Sequence, residues 1–269
     1  MGALELNRMT WKQARDYFKQ SDTCLFPMGC NHSHDHIFAG IDNIAADHIA
    51  RELSERTQTL LIPQLNFGWM KHYSTYEGTI SVSQETLKKL LLEVLSDLHR
   101  WGIRKVVFIN GHGGNAPILE EVGNIVREWG MLVPVLQWWT LARALNKNLE
   151  KEVEVGPEYG ACRTRGVETS LAMALDCVDN DDLYVQQYIQ VFGEELKVNS
   201  FMSVEFQGVH VPMPMKIRAL SRQGPKDTRA SVEAGARILQ ETNDYCAAFI
   251  ERIKQVDLKN VERLEATAG

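Results

Sequence analysis

Short apolar runs alternate with longer amphipathic segments along most of the chain. The run TCLFPMG at residues 23–29 predicts a buried strand. The segment that follows, NIAADHIARELSERT, repeats its apolar positions with a helical period, and Asp42 stands where a helix N-cap is expected. TLLIPQL then predicts a second strand, and SVSQETLKKLLLEVLSDLHRWG predicts a helix that begins near Ser83. Strand and helix thus follow each other in regular order.

The clearest unit of this kind is RKVVFINGHGGNAPILEEVGNIVREWG, which reads as a strand, a glycine-rich turn and a helix opened by Asn115. LVPVLQWWTL predicts a further strand and GVETSLAMALD a further helix. Asp227 or Thr228 is expected to cap a long last helix. With no internal repeat and no linker rich in Ser, Gly or Pro, residues 1–269 are predicted to form one α/β domain. Its mainly parallel central sheet should carry helices on both faces.

Composition and charge narrow the class of protein. The chain is 44% hydrophobic and 24% charged, which is ordinary for a globular protein, and its net charge of -6 argues against nucleic acid as a partner. No apolar run reaches the roughly 18 residues of a membrane span, and MGALELNRMTWKQ lacks the apolar segment of a signal peptide. Five cysteines without a CxxC pair fit reduced thiols. We therefore expect a cytoplasmic protein with neither nucleic acid nor a membrane as partner.

Two histidine-rich loops follow predicted strands, and parallel sheets bind ligands where their strands end. In CNHSHDHIFAGID, the spacing of two between His32, His34 and His36 would project all three to one side of an extended segment, with Asp35 on the other side. In NGHGGN, the glycines would allow His112 to enter a crowded site. Imidazole together with carboxylate suits Zn, Mn, Fe or Ni. The two loops together predict a metal site.

Several segments together resemble one known family. LFPMGCNHSHDHIFAGID is similar to the first-loop pattern of the creatininase (creatinine amidohydrolase) family, FINGHGGN matches the family's most distinctive motif, and GVETS matches its Glu-Thr-Ser segment. HYSTYEGTISVSQETL and SRQGPKDTRASVEAG agree with two further family patterns. The chain is therefore identified as a divergent member. This resemblance implies a three-layer α/β/α sandwich, one or two divalent metal ions, a small-molecule substrate and a symmetric homo-oligomer, commonly a hexamer.

The resemblance also implies which residues form the site. His34 matches the loop histidine of the family, Asp42 its bridging aspartate, His112 the histidine of NGHGGN, and Glu168 the glutamate of Glu-Thr-Ser. His32 completes the expected metal ligands. His112 and Glu168 are the expected catalytic residues, with Glu168 acting as metal ligand or as general base.

Three departures from the family pattern change these expectations. His32 stands where the family usually has glutamate, and the loop is one residue shorter, so His32, Asp35 or His36 could take that place. Gly114 stands where creatininase proper has a glutamate, so a second ion loses a ligand unless Glu168 supplies one. Exchanging a carboxylate for neutral imidazole makes the ligand set less anionic, which favours Zn over Mn.

The third departure concerns substrate binding. Arg163-Thr164-Arg165 replaces the family's His-Ala-Gly, so a proton-shuttling histidine is missing, while Arg163 and Arg165 are either solvated or grip an anionic or oxygen-rich substrate. Trp139 either packs in the core or walls the pocket. His72 and Tyr76, in a loop that matches the family, are further candidates for substrate contacts.

The expected reaction is hydrolysis of a C–N bond in a small polar amide, cyclic or linear, by metal-activated water. One alternative is hydrolytic C–C ring opening of a keto-inositol, a cyclic β-diketone, which relatives of this family are also associated with. A second alternative is a degenerate, non-catalytic metal-binding protein.

Overall fold

A computed structural model describes residues 2–34, 36–146, 165–179, 184–200, 202–215, 221–226 and 229–258. The helices are α1 (Trp11–Phe18), α2 (Ile41–Thr57), α3 (Gln84–Arg100), α4 (Ala116–Arg127), α5 (Trp138–Leu145), α6 (Arg165–Ala174) and α7 (Val232–Lys254). The strands are β1 (Thr23–Met28), β2 (Leu60–Leu61), β3 (Lys105–Asn110), β4 (Val135–Gln137), β5 (Tyr184–Tyr188), β6 (Leu196–Ser200), β7 (Ser203–Phe206), β8 (Val209–Pro212) and β9 (Ser221–Lys226).

A four-stranded parallel sheet in the order β2-β1-β3-β4 lies at the centre of the fold. Strands β1 and β3 pair along their whole length, from Thr23 opposite Lys105 to Met28 opposite Asn110. Because parallel strands end at the same edge of a sheet, the two histidine-rich loops that follow β1 and β3 lie side by side.

Side chains alternate between the two faces of this sheet, as the period of a strand requires. Leu25 and Val107 pack on one face with the apolar sides of α2, α5, α6 and α7. Cys24 and Val106 pack on the other face, where α3 contributes the leucines Leu87, Leu91, Leu95 and Leu98 and α4 contributes Ile118, Leu119, Val122 and Val126. The predicted fold class, a three-layer α/β/α sandwich with a mainly parallel sheet, is confirmed.

Helix α3 also begins as predicted, because the Ser83 hydroxyl accepts a hydrogen bond from the Thr86 backbone N–H at 3.1 Å. The caps predicted for α2 and α7 are wrong. Helix α2 has Gly40 as its N-cap, and Asp42 lies in the first helical turn, where its carboxylate faces histidines instead of capping backbone N–H groups.

Helix α7 likewise begins later than the predicted cap at residues 227–228, which lie outside the described residues. Ser231 is its N-cap and accepts a hydrogen bond from the Ala234 backbone N–H at 3.1 Å.

Two predicted strands are also shorter than the sequence suggested. Of TLLIPQL, Leu60–Leu61 alone forms a strand, and β4 ends at Gln137 because Trp138 starts α5.

Two small antiparallel sheets, β5-β9 and β6-β7-β8, lie in the region where the sequence predicted only β-like segments. Gln207 and Gly208 join β7 to β8 with φ angles of 50° and 78°, so both residues of this tight turn occupy the left-handed region.

Four cysteines are free and buried, as expected of reduced thiols, namely Cys24, Cys30, Cys177 and Cys246. Cys162 lies outside the described residues. Within the described ranges no helix is long and apolar enough to cross a membrane. The single domain over residues 1–269 stays a prediction.

Candidate metal centre

The predicted site residues meet at the carboxyl edge of the parallel sheet. His32 and His34 lie in the loop between β1 and α2, Asp42 in the first turn of α2, and His112 directly after β3. At most 5% of each of these four residues is exposed. The sheet register brings together side chains that are 80 residues apart in the chain, since β1 and β3 are neighbours.

Asp42 is the centre of this cluster. Its Oδ2 atom lies 2.7 Å from His112 Nδ1 and 3.0 Å from His32 Nε2, and its Oδ1 atom lies 3.2 Å from His34 Nε2. One buried carboxylate therefore has three imidazole nitrogens within hydrogen-bonding range.

Backbone carbonyls fix the orientation of all three imidazole rings. His32 Nδ1 lies 2.9 Å from the Ser33 carbonyl oxygen, His34 Nδ1 lies 3.1 Å from that of His32, and His112 Nε2 lies 3.1 Å from that of Trp69. A carbonyl oxygen only accepts hydrogen bonds, so these ring nitrogens carry the proton and donate. In the neutral rings, the lone pair of the other nitrogen then points at Asp42. Metal-binding histidines are commonly oriented in this way.

The charges of the cluster favour a cation between the carboxylates of Asp42 and Glu168. Burial raises the pKa of Asp42, but His34, His32 and His112 outweigh it and hold that pKa well below its usual range. Burial and the neighbouring His34 lower the pKa of His32 to about 4. Burial also lowers the pKa of His34, yet the carboxylates of Asp42 and Glu168 outweigh it and raise that pKa to about 10. Without a metal, a proton on His34 supplies the positive charge that the two carboxylates attract.

These donors fit a divalent metal ion. Three ligand atoms, one each from His32, His34 and Asp42, all lie within 4.8 Å of one another, and the three residues are buried. Three oriented lone pairs around a carboxylate would repel one another and the carboxylate unless a cation binds among them. The residues present therefore match the metal that the resemblance implies.

Glu168 joins the same cluster from helix α6. It lies in the first turn of α6, and its Oε1 atom is 3.4 Å from His34 Nε2. Its side chain is 20% exposed, whereas those of His34 and Asp42 are 5% and 4% exposed. Glu168 thus lies between the buried donors and the open cavity. In this position its carboxylate has room to act as a metal ligand or as a general base.

The first loop does not project its three histidines to one side, so that prediction is wrong for His36. The Ile37 backbone N–H donates to the His34 carbonyl oxygen at 3.2 Å, and this turn directs His36 toward α6, where its Nε2 atom lies 3.5 Å from Thr169 Oγ1. Asp35 lies outside the described residues. Of the candidates for the place of the family's glutamate, His32 is the one that contacts Asp42 in the described structure.

A cavity of about 360 Å³ opens over the cluster of His32, His34, Asp42 and His112. Trp139 and His72 line it, and their contact with a substrate stays a prediction. Further apolar wall comes from Trp69, Met70, Tyr73, Trp138 and Met202. Trp139 also packs against the hydrophobic core that contains Trp138, so both positions considered for Trp139, the core and the pocket wall, are observed. Tyr76 is not among the described residues that line the cavity, and its ring packs against Tyr73 with centroids 5.8 Å apart.

The two arginine predictions stay untested. Arg163 lies outside the described residues, and for Arg165 the structure describes only the backbone at the start of α6. A role for either residue in binding substrate remains a prediction.

Sequence reasoning missed the residue that ties the loops of this site together. Asn115, fully buried, accepts a hydrogen bond from the Trp69 backbone N–H at 3.1 Å and donates one to the Gly29 carbonyl oxygen at 3.0 Å. Its amide also lies 3.5 Å from Asn110 Oδ1, which accepts from the His112 backbone N–H at 3.1 Å. Asn115 is the N-cap residue of α4, as predicted, although its side chain makes no capping hydrogen bond. The motif NGHGGN held the signal, since its second asparagine follows His112 closely.

Asn115→Ala is expected to lower metal affinity by about 10- to 100-fold, as loss of a supporting contact around metal ligands typically does. The Trp69 N–H and the buried Gly29 carbonyl would lose their partner, at about 1–3 kcal/mol each in the free energy of unfolding. Competition with a chromogenic chelator measures the affinity. Asn124→Ala, on the exposed side of the same helix, is the control and should bind metal normally. Unchanged affinity in folded Asn115→Ala would show that the site does not depend on this residue.

The fold and the cluster together define a class of protein, an α/β sandwich with a metal centre at the carboxyl edge of its parallel sheet. Within this class, residues 7–250 match the family model described as creatininase, creatinine amidohydrolase. The chain therefore belongs to the creatininase family and is a metal-dependent hydrolase, which confirms the sequence-based assignment.

Known relatives show how divergent this member is. The chain is 28% identical over 196 residues to the creatinine amidohydrolase of Pseudomonas putida. This alignment covers 65% of this chain and 74% of that protein. It is 26% identical over 172 residues to the 3-dehydro-scyllo-inosose hydrolase of Thermotoga maritima, covering 62% and 54%.

Solved structures agree in fold. A manganese creatininase matches with a TM-score of 0.71 at 24% identity, covering 94% of this chain and 100% of the other. A mutant creatininase of the Zn–Zn type matches with the same score and identity, covering 94% and 99%. At this identity the likeness shows the fold alone.

Proposed function

We propose that this protein hydrolyses a C–N bond in a small polar amide, with a divalent metal held by His32, His34, Asp42 and His112. The observation that carries the proposal is the convergence of three oriented imidazole lone pairs on the buried Asp42 carboxylate. When bound, the metal supplies a Lewis acid for the substrate carbonyl and lowers the pKa of a water molecule toward neutrality. The imidazole-rich donor set supports zinc in preference to manganese, iron or nickel.

Glu168 is the residue we propose for handling protons in this reaction. Its partly exposed carboxylate lies between His34 and the cavity, where it can accept a proton from the attacking water and pass it to the leaving nitrogen. His112 keeps its place through the Trp69 carbonyl and holds one side of Asp42.

The cavity supports a small substrate with a flat or apolar part. A volume of about 360 Å³ lies at the lower end of ligand pockets and leaves no room for a folded macromolecule. Trp139 and His72 offer ring faces and edges to such a substrate, while the metal ligands form the polar floor. Arg163 and Arg165 remain proposals for gripping an anionic group.

C–C ring opening is the second candidate, and the inosose hydrolase among the relatives favours it. A cyclic β-diketone offers the same kind of polarised carbonyl to the metal. The two reactions differ in the bond that breaks, since one frees a nitrogen group and the other leaves only carbon and oxygen groups.

Product analysis on the metal-loaded protein tests this function. We would supply creatinine, a panel of linear and cyclic amides, and a cyclic β-diketone, and identify the products by NMR with and without a chelator. Chelator-sensitive release of an amine or guanidine nitrogen is the expected result. Ring opening of the diketone alone would replace the first candidate by the second, and metal-loaded protein that converts none of these compounds would favour the non-catalytic alternative.

We further propose a cytoplasmic location and a homo-oligomer, a hexamer by resemblance to the family. Four buried free thiols support a reducing compartment. Light scattering on the purified protein measures the mass of the assembly, and a monomeric mass would contradict the proposed oligomer.

A further inference from the structure

Two consecutive side chains of the GVETS motif on α6 face two histidines of the loop between β1 and α2. Glu168 Oε1 lies 3.4 Å from His34 Nε2. Thr169 Oγ1 lies 3.5 Å from His36 Nε2, and Thr169 and His36 are both buried. Neighbouring side chains on a helix differ in direction by about 100°, so the loop contacts α6 on two sides. The reaction proposed above uses the first of these contacts and gives no role to the second.

The backbone of the same loop is bonded to the other end of α6. The Phe38 backbone N–H donates to the Cys177 carbonyl oxygen at 2.9 Å. The Asp179 backbone N–H donates to the His36 carbonyl oxygen at 2.8 Å. These two bonds join the loop to the segment just after the last turn of α6. His36 thus takes part in the attachment of α6 at both of its ends, through its side chain at one and its carbonyl at the other.

Helix α7 packs closely against α6. A Cβ atom at Gly235 would overlap the Ser170 carbonyl oxygen and lie 2.8 Å from Ala174 Cβ. The Ser170 hydroxyl also accepts a hydrogen bond from the Ser231 backbone N–H at 3.2 Å. These contacts fix the distance between the two helices, whereas the contact of Thr169 with the loop lies directly beside Glu168.

The direction of Glu168 is sensitive to the rotation of α6 about its axis. A helix with its side chains has a radius of about 5–6 Å, so a rotation of about 10° moves a carboxylate at its surface by about 1 Å. A misplacement of this size between reacting groups lowers a rate by up to about 100-fold. A group that prevents this rotation therefore affects the reaction without touching the substrate.

From these contacts, and resting on the proton transfer proposed for Glu168, we infer that His36 and Thr169 are positioning residues. They hold α6 in the rotation that directs the Glu168 carboxylate toward His34 and the cavity. The loop between β1 and α2 thereby has two functions, since it supplies the donors His32 and His34 and also orients the carboxylate that faces them.

Variants of the two positioning residues test the inference. His36→Leu removes the ring nitrogens and Thr169→Val removes the hydroxyl, while both keep most of the buried volume. Each should lower kcat by about 10- to 100-fold with little change in KM, and elemental analysis should still find bound metal. His36→Gln and Thr169→Ser keep a polar group at the contact and should restore most of kcat. His48→Leu, the same exchange at an exposed position of α2, is the matched control and should behave as the wild type.

A second series separates positioning from a general loss of structure. If His36 acts through Glu168, then His36→Leu should change kcat little further in protein that already carries Glu168→Gln. A readout without turnover is the visible spectrum of the cobalt-loaded protein, which responds to the groups around the metal. The spectrum of His36→Leu should shift toward that of Glu168→Gln, and that of His36→Gln should not.

Two results would overturn the inference and leave the proposed function intact. One is wild-type kcat in folded His36→Leu and Thr169→Val. The other is an equal loss of kcat from His36→Leu with and without Glu168→Gln. Full activity of Glu168→Gln would instead contradict the proposed proton transfer, and the inference with it. If His36→Leu does not fold, the comparison of Thr169→Val with Thr169→Ser decides, and equal kcat in these two variants would count against the inference.

Discussion

Asp42→Asn is expected to abolish tight metal binding and to lower kcat/KM by about 10³- to 10⁴-fold. The carboxylate is the common partner of His32, His34 and His112, and the neutral amide cannot balance a divalent charge in this buried place. Loss of the metal removes several kcal/mol of transition-state stabilisation, which corresponds to this change in rate. Elemental analysis of the purified variant and steady-state kinetics measure the two effects.

Asp47→Asn is the matched control for this experiment. Asp47 lies on the same helix, five residues further on, and pairs with Arg51 near the surface. This partly exposed ion pair lies away from the cluster and contributes about 1 kcal/mol at most, so this variant should keep its metal and its activity. Full activity in metal-free Asp42→Asn, or in metal-free His112→Ala, would be incompatible with metal-dependent hydrolysis.

Gly111→Ala is expected to disrupt the centre through the backbone. A Cβ atom at Gly111 would overlap the Asp42 carbonyl oxygen, lie 2.9 Å from the Asp42 carbonyl carbon and 3.2 Å from Ala46 Cβ. Because the colliding groups belong to the helix backbone, the loop after β3 must move away from α2, and His112 moves away from Asp42. We expect metal affinity to fall by at least about 10- to 100-fold. The free energy of unfolding should fall by about 1–3 kcal/mol, as for an overpacked core.

Gly113→Ala provides the comparison within the same motif. The nearest atom to a Cβ at Gly113 is Trp139 Cζ2 at 3.9 Å, an ordinary contact distance. Metal titration and chemical denaturation of the two variants should therefore separate them clearly, with Gly113→Ala close to the wild type. Equal behaviour of the two variants would show that the packing of Gly111 on α2 does not hold the centre together.

The sequence was most informative where local pattern and chemistry coincide. The alternation of apolar runs predicted β1, β3 and the helices that follow them, because buried strands and amphipathic helices have distinct periods. It was less informative at element boundaries. Trp138 continues an apolar run, yet it begins α5. Its packing into the core, and not its β propensity, decides its conformation.

For the centre, the sequence by itself determined the family, the types of donor and the two loops that carry them. Residue type fixes what a side chain can ligate, and short motifs preserve that information without coordinates. Only the tertiary structure decided which donors meet. The turn at His34 sends His36 to Thr169 and leaves His32 with Asp42, and a side chain at position 114 would collide with His112. Such outcomes depend on contacts between residues distant in the chain, and the spacing of residues along a sequence does not encode the space left between packed elements.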